Sequence, residues 1–221
     1  MSNSTLLKSS IAKKVAMALS GLFLILFLTQ HFFINLTSVF SPDVFNEISH
    51  FMGNNPLVQF VIQPILIVGV VFHFIMGFVL DFKNKKSRPT AYANYNGAAN
   101  ASWSSRNMIV SGSVVLAFLG LHFYDFWFPE MVYKYIDINP LEPSRYYPEL
   151  VAKFESLPRT ILYCASFVLL SLHLWHGFNS SFQSVGFNNK YTKTIHKIGY
   201  SFAIIVPFGF VFIALFHHFL G

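Results

Sequence analysis

The sequence predicts an all-α membrane protein with five helices that cross the bilayer, and three observations lead to this fold class. Of the 221 residues, 54% are hydrophobic and only 11% are charged, whereas about 25% are charged in an ordinary soluble domain. The apolar residues are gathered in five runs, each close to the roughly 20 residues that a membrane-spanning helix needs. The segments between these runs also differ in charge from one side of the membrane to the other.

Polar residues at the ends of the runs justify the five spans in chain order. The first span follows Lys13 and Lys14 and is too long for the apolar core of a signal peptide. The second ends at a lysine-rich segment, the third begins after Arg106, and a polar segment separates the fourth from the fifth. No internal repeat is recognised, and we interpret residues 1–221 as one transmembrane domain. The approximate spans are Val15–Val39, Val58–Phe82, Met108–Phe128, Arg159–Phe182 and Ile198–Phe219.

The distribution of charge predicts the orientation. With the N-terminus in the cytoplasm, eleven of the fifteen basic residues lie on the cytoplasmic side, and eight of the nine acidic residues lie on the other side. Because basic segments are retained in the cytoplasm, this bias predicts an N-in, C-out protein, and it explains the net charge of +6 without nucleic acid. We interpret the loop Lys83–Asn107 as a docking surface for a cytoplasmic partner. The Pro- and Tyr-rich loop Pro129–Pro158 suits a cap in the opposite interface.

Four histidines lie inside four of the spans, at two depths. His31 and His122 each lie sixteen or seventeen residues beyond the basic residue that precedes their outward-running span, which is about 25 Å of helical rise. His73 and His173 lie eight or nine residues before the ends of inward-running spans, which is about 12 Å from the inner boundary. The depths therefore predict two pairs, His31 with His122 and His73 with His173.

Paired histidines at two depths predict two stacked b haems. A neutral imidazole ligates haem iron, and one histidine on each face of the ring saturates the metal. A single intramembrane histidine more often bonds a neighbouring helix or relays protons, but four in four helices, matched by depth, favour ligation. Gly77 and Gly177 each follow a histidine by four residues, and we expect them to let a flat ring approach the backbone. Ser20 and Gly21 are expected to do the same beneath the outer haem.

The remaining candidates have simpler interpretations. His176 is expected to be a polar or propionate neighbour, and His196, His217 and His218 lie at span ends, where snorkelling explains them. The only cysteine, Cys164, is interpreted as a packing residue. An iron–sulfur cluster that exchanges electrons with this chain must therefore belong to another subunit.

Five segments carry a resemblance to a known family. Together they resemble the dihaem cytochrome b membrane anchor of bacterial succinate:quinone oxidoreductases and fumarate reductases, of the type with a single five-helix chain. The resemblance covers essentially the whole chain, including helix number and orientation. The segments are Ser20-Gly-Leu-Phe-Leu, Gln30-His31-Phe-Phe, Phe72-His73-Phe-Ile-Met-Gly77-Phe, Gly120-Leu-His122-Phe-Tyr and Leu172-His173-Leu-Trp-His-Gly177-Phe.

The resemblance implies a function and partners. By it, His73 and His173 hold the proximal haem iron, nearer the cytoplasm, and His31 and His122 hold the distal one. It implies a complex in the bacterial inner membrane with a flavoprotein and an iron–sulfur subunit, and leaves open a higher oligomer. Electrons from succinate would reach a quinone, usually menaquinone, near the outer face; the anchor alone would not act on succinate. Some dihaem fumarate reductases use a glutamate two residues before the fourth-helix ligand to move protons across the membrane, but Ser171 occupies that position here.

The quinone site is predicted only as a set of outer polar candidates. Quinone oxygens need polar or protonatable partners near the outer interface. We single out Asp125, three residues after His122, with an interfacial acid in contact with water as its simpler interpretation. The set consists of Asn35, Asp43, Glu47, His50, Tyr124 and Asp125, of which Asp125, Glu47 and His50 are the main candidates.

Two other functional classes stay open. One is a dihaem anchor with another soluble partner, such as that of a formate dehydrogenase or hydrogenase, or a fumarate reductase running in the opposite direction. Co-purification with a flavoprotein distinguishes it. The other is a transporter or proton channel whose histidines relay protons without haem, which the colour of the purified protein distinguishes. The absence of a recognised repeat and of broken helices argues against a transporter.

Overall fold

The computed structural model describes residues 9–86 and 103–221, and all the regular structure in these ranges is helical. Within these ranges, five helices are long and apolar enough to cross a membrane, which confirms the predicted fold class. The helices that we number are α1 Ser10–Phe40, α2 Pro42–Asn54, α3 Val58–Lys86, α4 Met108–Ile136, α5 Tyr146–Phe154, α6 Leu157–Ser184 and α7 Thr192–Leu220.

The spanning helices α1, α3, α4, α6 and α7 alternate in direction. We call the side of the bundle on which α1 begins the N-side, and the opposite side, on which α7 ends, the C-side. By the predicted orientation, the N-side is cytoplasmic. A single helical turn, Trp103–Arg106, precedes α4 on the N-side, and a 3₁₀ turn, Pro143–Arg145, precedes α5 on the C-side.

The spanning helices are longer than the predicted spans because polar residues continue them beyond the apolar runs. At the start of α1, the Ser9 side chain accepts a hydrogen bond from the Ile11 backbone N–H at 3.2 Å and caps the helix. The largest difference is in α4, which continues to Ile136 through π-helical turns at Phe123–Trp127 and Val132–Ile136. The predicted third span ended at Phe128, so its last two turns were assigned to the following loop.

Two short amphipathic helices, α2 and α5, lie on the C-side. Ser41 caps α2 by accepting a hydrogen bond from the Val44 N–H at 3.3 Å, and Pro42 occupies the first turn, where its missing N–H costs nothing. The side chain of Asn46 accepts a hydrogen bond from the Tyr147 N–H at 2.7 Å and so joins α2 to α5. The segment Pro129–Pro158 was predicted to be a loop that caps the interface, and α5 forms within it.

The apolar core joins α1, α6 and α7 in the half of the bundle nearer the C-side. It includes Phe32, Tyr163, Phe167 and Phe210, all less than 10% exposed, together with Ile213. Helices α6 and α7 share the most extensive helix–helix contact. By contrast, no residue of the α-helical segment Gln63–Lys86 is buried within the chain. The apolar side chains of α3 therefore face lipid, the central cavity or a partner.

The predicted cytoplasmic docking loop, Lys83–Asn107, lies mostly outside the described residues, which omit 87–102. At its described start, Lys85 forms an ion pair with Asp81 one turn earlier, at 2.7 Å. Exposed i, i+4 pairs of this kind contribute only about 0.3–0.5 kcal/mol. This pair therefore stabilises the end of α3 slightly and leaves its lysine in solvent.

Candidate functional site

A large cavity runs through the bundle, and all four predicted histidines line it. Its volume is about 1460 Å³, above the range of about 300–1,000 Å³ that is usual for a site holding one small molecule. His31, His73, His122 and His173 come from α1, α3, α4 and α6, and most of the remaining lining is aliphatic or aromatic. The cavity can hold large, flat and mainly apolar groups between the helices.

The histidines lie as two facing pairs. The ring centroids of His31 and His122, which we call the C-side pair, are 5.7 Å apart. Those of His73 and His173, the N-side pair, are 6.4 Å apart. These are the pairs expected from depth along the helices. Two imidazole rings that bind one metal from opposite sides have centroids about 6 Å apart, because each metal–nitrogen bond is about 2 Å and each nitrogen lies about 1 Å from its ring centre.

The N-side pair is oriented by two serines with the same geometry. Ser20 Oγ donates its proton to the Met17 carbonyl at 2.8 Å and lies 3.0 Å from His73 Nδ1. Since a hydroxyl has one proton to donate, Ser20 accepts from the Nδ1–H of His73. That tautomer leaves the lone pair on Nε2, the nitrogen that is then able to bind a metal.

Ser111 performs the same role for His173. Its Oγ donates to the Met108 carbonyl at 3.0 Å and lies 3.3 Å from His173 Nδ1. Partners of this kind fix the ring orientation of metal-ligating histidines. Neither serine was identified as the partner of a histidine from the sequence.

Two glycines let these imidazoles lie close to the backbone. A Cβ added to Gly21 would lie 3.5 Å from His73 Cε1, and one added to Gly112 would lie 3.4 Å from His173 Cε1. The structure therefore corrects the expectation for Ser20 and Gly21, which contact a histidine of the N-side pair and not the outer site. Ser20 and Gly21 lie six and seven residues beyond Lys14, about 9–10 Å of helical rise, which is close to the depth of His73 and far from that of His31.

These contacts reveal an internal repeat that the sequence analysis did not recognise. Helices α1 and α4 share the pattern Met-x₂-Ser-Gly-x₅-Phe-x₃-His, and α3 and α6 share His-x₃-Gly-Phe. Each histidine pair joins equivalent residues of the two halves, as do the two Ser–His hydrogen bonds. A local twofold relation between α1–α3 and α4–α6 therefore passes through both pairs. The repeat escaped notice because only eight positions carry it and the two offsets differ by nine residues.

Aromatic rings surround the C-side pair. Phe27 stacks on His31 at 5.4 Å, and its equivalent Phe118 lies 5.8 Å from His122. Phe126 approaches His122 to 5.2 Å. The Asn35 side-chain amide donates to the His31 carbonyl at 2.8 Å and lies 3.4 Å from the same residue's Nε2. The pair therefore lies in a mainly apolar cage with one amide beside it.

Asp125, one turn beyond His122, is buried. Its side chain has no exposed surface. Oδ2 accepts a hydrogen bond from Tyr163 Oη at 2.9 Å and forms an ion pair with Arg159 Nε at 3.2 Å. The simpler interpretation of this residue, an interfacial acid in contact with water, is therefore wrong. The π-helical turn Phe123–Trp127 changes the direction of the side chains beyond His122, and it packs Asp125 against α6.

A polar cluster closes the cavity on the C-side. Its members are Glu130, Lys134, Arg145 and the Gly53 carbonyl; Glu130 pairs with both cations, and Lys134 also donates to the carbonyl. The guanidinium of Arg145 lies over the Tyr133 ring, 4.0 Å from its centroid. The side chains of Lys134 and Arg145 are 7% and 10% exposed, so these charges are largely withdrawn from water. The i, i+4 spacing of Glu130 and Lys134 is the one signal in the sequence that could have indicated the cluster.

The surroundings of the cluster keep Arg145 and the neighbouring Tyr146 hydroxyl protonated. Burial alone would lower the pKa of Arg145, but hydrogen bonds and charge from Glu130 and Glu149 outweigh burial and raise that pKa above its ordinary value. Burial, with a further contribution from the Glu130 charge, raises the pKa of the Tyr146 hydroxyl. At neutral pH the Arg145 guanidinium is therefore charged and the Tyr146 phenol beside the cluster is neutral.

The predicted quinone candidates separate into two groups. Asn35, Tyr124 and Asp125 line the cavity. Asp43 and Glu47 are exposed on α2, and they are absent from the described cavity lining, as is His50. His50 Nδ1 is within 3.1 Å of Asn54 Nδ2, and its ring meets the edge of Tyr146 at 6.2 Å.

The remaining histidines differ from one another. His176 lines the cavity, as expected of a polar neighbour. His217, expected to snorkel, is only 1% exposed, with Nε2 2.8 Å from Ser38 Oγ. This hydrogen bond joins α1 to α7 inside the bundle, so snorkelling was the wrong explanation. His218 Nδ1 lies 2.7 Å from the Phe154 carbonyl, and Cys164 packs beside the apolar core, as predicted.

Comparisons of this chain with protein-family models, with curated proteins and with solved structures find no match.

Proposed function

We propose that this chain is the membrane-anchor and electron-transfer subunit of a bacterial succinate:quinone oxidoreductase, carrying two b haems between a cytoplasmic iron–sulfur subunit and menaquinone. One observation carries the proposal: two histidine pairs in a single cavity, each at the spacing of two imidazoles on one metal, with centroids 5.7 Å and 6.4 Å apart. The resemblance of the four histidine segments to the dihaem anchor family supports the choice of partners.

The residues present fit haem b. His73 and His173 would hold the proximal iron, and His31 and His122 the distal iron. Bound haem supplies reversible one-electron transfer, and two imidazole ligands leave its iron without an open position for oxygen chemistry. Ser20 and Ser111 hold the proton on Nδ1 of His73 and His173. Phe27 and Phe118 exclude water from the C-side pair.

The two ends of the cavity suit different partners. The N-side carries most of the basic residues, and we assign it to the flavoprotein and iron–sulfur subunits. We assign the quinone to the C-side, where Tyr124 and Asp125 line the cavity and the polar cluster closes it. The Tyr146 hydroxyl and the Arg145 guanidinium belong to residues that line the cavity, and both can donate a hydrogen bond to a quinone oxygen. The sequence-derived candidates Glu47 and His50 would act only if the quinone enters beside α2.

The proposal is tested by counting haem in the detergent-purified chain. A reduced-minus-oxidised spectrum with a pyridine haemochrome assay should give two low-spin b haems per chain, and His173→Ala should lose the N-side haem. His218→Ala, which removes a histidine outside the cavity lining, is the matched control and should retain both. Absence of haem from the wild-type protein would overturn the proposal.

Two alternatives are separated by further measurements. A dihaem anchor of a formate dehydrogenase, a hydrogenase or a fumarate reductase shares the ligand geometry, and co-purification with a flavoprotein that oxidises succinate distinguishes the proposed complex. A proton-relay transporter would purify without haem. Because α4–α6 repeats α1–α3, the internal organisation of the chain does not exclude a transporter. Haem is favoured because the four histidines form two facing pairs, each at the spacing of two imidazoles on one metal.

A further inference from the structure

Two buried polar atoms beside the C-side pair have no hydrogen-bond partner within the described parts of the chain. They are Nδ1 of His122 and Oδ1 of Asp125. Unpaired buried polar atoms of this kind are rare, and each one destabilises the folded protein. One atom becomes a donor and the other is an acceptor when His122 binds a metal through Nε2, since its proton then lies on Nδ1. The two atoms are therefore complementary.

The contacts of Asp125 leave one of its carboxylate oxygens, Oδ1, available to accept a hydrogen bond. Tyr163 and Arg159 both bond Oδ2, at 2.9 Å and 3.2 Å, so Oδ1 is the oxygen left over. Tyr163 also lies beside the imidazole, with its ring centroid 6.4 Å from that of His122. Asp125 follows His122 by three residues, in the π-helical turn. Tyr163, which bonds Asp125 and lies beside the imidazole, places the carboxylate next to His122.

We propose that Asp125 is a positioning residue for His122. Its Oδ1 accepts the Nδ1–H of His122 through one water, and its negative charge lowers the reduction potential of the C-side haem. A carboxylate behind a metal-bound histidine fixes the ring and increases its basicity, and a more basic ligand favours the oxidised iron. This inference rests on the proposed function, because it needs His122 to bind haem.

The two haem sites then differ in the charge behind their ligands. The N-side ligands His73 and His173 bond neutral hydroxyls of Ser20 and Ser111, whereas His122 would bond a carboxylate. Arg159 offsets part of that charge, but its side chain is 32% exposed, so water screens the arginine more than the fully buried Asp125. Asp125 thus makes the local repeat electrostatically asymmetric.

The experiment is a redox titration of both haems in the purified protein with Asp125→Asn and Tyr163→Phe. Asp125→Asn keeps the shape of the side chain and removes the charge. We expect both haems to be retained and the C-side haem to become about tenfold easier to reduce, a shift of about 59 mV for a one-electron couple. Tyr163→Phe leaves the carboxylate with one donor fewer, so its bond to His122 strengthens and the potential of the same haem should fall.

Two controls assign the shift. Ser111→Ala removes the partner of His173 and should move the potential of the other haem, which marks the N-side site. Glu155→Gln removes an exposed carboxylate on the C-side and should move neither. A direct effect on His122 predicts a shift confined to one haem.

The outcomes separate this inference from the proposed function. If both haems are present but Asp125→Asn moves neither potential, or if Tyr163→Phe does not lower the potential of the C-side haem, the inference is overturned and the haem assignment stands. If Asp125→Asn loses the C-side haem, a lowered potential in Tyr163→Phe supports the inference and any other result overturns it. A wild-type protein without haem overturns the proposed function itself.

Discussion

At the scale of single residues, the serine partners decide which nitrogen of a histidine faces the cavity. Ser20 and Ser111 each donate to a carbonyl of their own helix, at 2.8 Å and 3.0 Å, and so can only accept from a histidine. Alanine in place of either serine would remove the hydroxyl and leave the Nδ1–H of a largely buried ring without its acceptor. The ring would then turn or change tautomer, and it would bind metal less tightly.

We therefore expect Ser20→Ala and Ser111→Ala to weaken retention of the N-side haem by about 10–100-fold, the usual effect of losing a second partner of a metal ligand. Haem transfer to apomyoglobin, followed by absorbance, measures the retention. Ser113→Ala is the matched control, because within the described residues the Ser113 hydroxyl bonds the Ile109 carbonyl on the same helix, at 2.8 Å, and no histidine. Equal haem loss in all three variants would contradict the assigned role.

At the scale of helices, close approach of α6 and α7 holds the bundle together beside the cavity. Gly199 permits this contact. A Cβ at that position would lie 2.6 Å from a ring carbon of Phe178 and 2.7 Å from Asn179 Oδ1. Small residues play this role in membrane helices because lipid offers no hydrophobic driving force, so association depends on van der Waals contact.

Gly199→Ala should destabilise the protein by about 1–3 kcal/mol, the usual cost of overpacking a close contact. The expected result is a lower midpoint of thermal unfolding in detergent, followed by circular dichroism. Gly120→Ala, in α4, is the comparison, since a Cβ there would meet nothing within 4 Å. It should be neutral or stabilising by up to about 1 kcal/mol, because alanine is the better helix former. Similar midpoints for both variants would show that the contact between α6 and α7 adjusts to the added methyl group without loss of stability.

At the scale of the whole molecule, an odd number of spanning helices places the chain ends on opposite sides of the membrane. The bias of eleven basic residues against four predicts which end is cytoplasmic. The orientation matters for the proposed function, because the N-side pair must face the subunit that delivers electrons and the C-side cluster must lie at the opposite surface.

Reporter fusions test the orientation. Alkaline phosphatase forms its disulfides only in an oxidising compartment, so a fusion after Gly221 should be active, whereas fusions after Lys86 or Lys190 should be inactive. A fluorescent protein that folds in the cytoplasm should give the reverse pattern at the same three positions. Activity after Lys86 without activity after Gly221 would invert the orientation and the assignment of both ends of the cavity.

Much of the architecture follows from the sequence because it depends on quantities that accumulate along one chain segment. Apolar length determines that five helices can cross a membrane, and the constant rise per residue gives each histidine its depth. Depth alone was sufficient to expect His31 opposite His122 and His73 opposite His173. The family resemblance pointed to the same four residues, and the ligand role of each stays a prediction.

Only the tertiary structure decided what surrounds those histidines. Rotation and tilt of one helix against another set whether Ser20 meets His73, whether Asp125 is buried against Tyr163 and Arg159, and whether His217 lies inside the bundle. These depend on side-chain packing between segments far apart in the chain, and a π-helical turn such as Phe123–Trp127 changes the facing of every later residue in its helix. Distance along a helix is therefore readable from sequence, whereas direction around it is settled by packing.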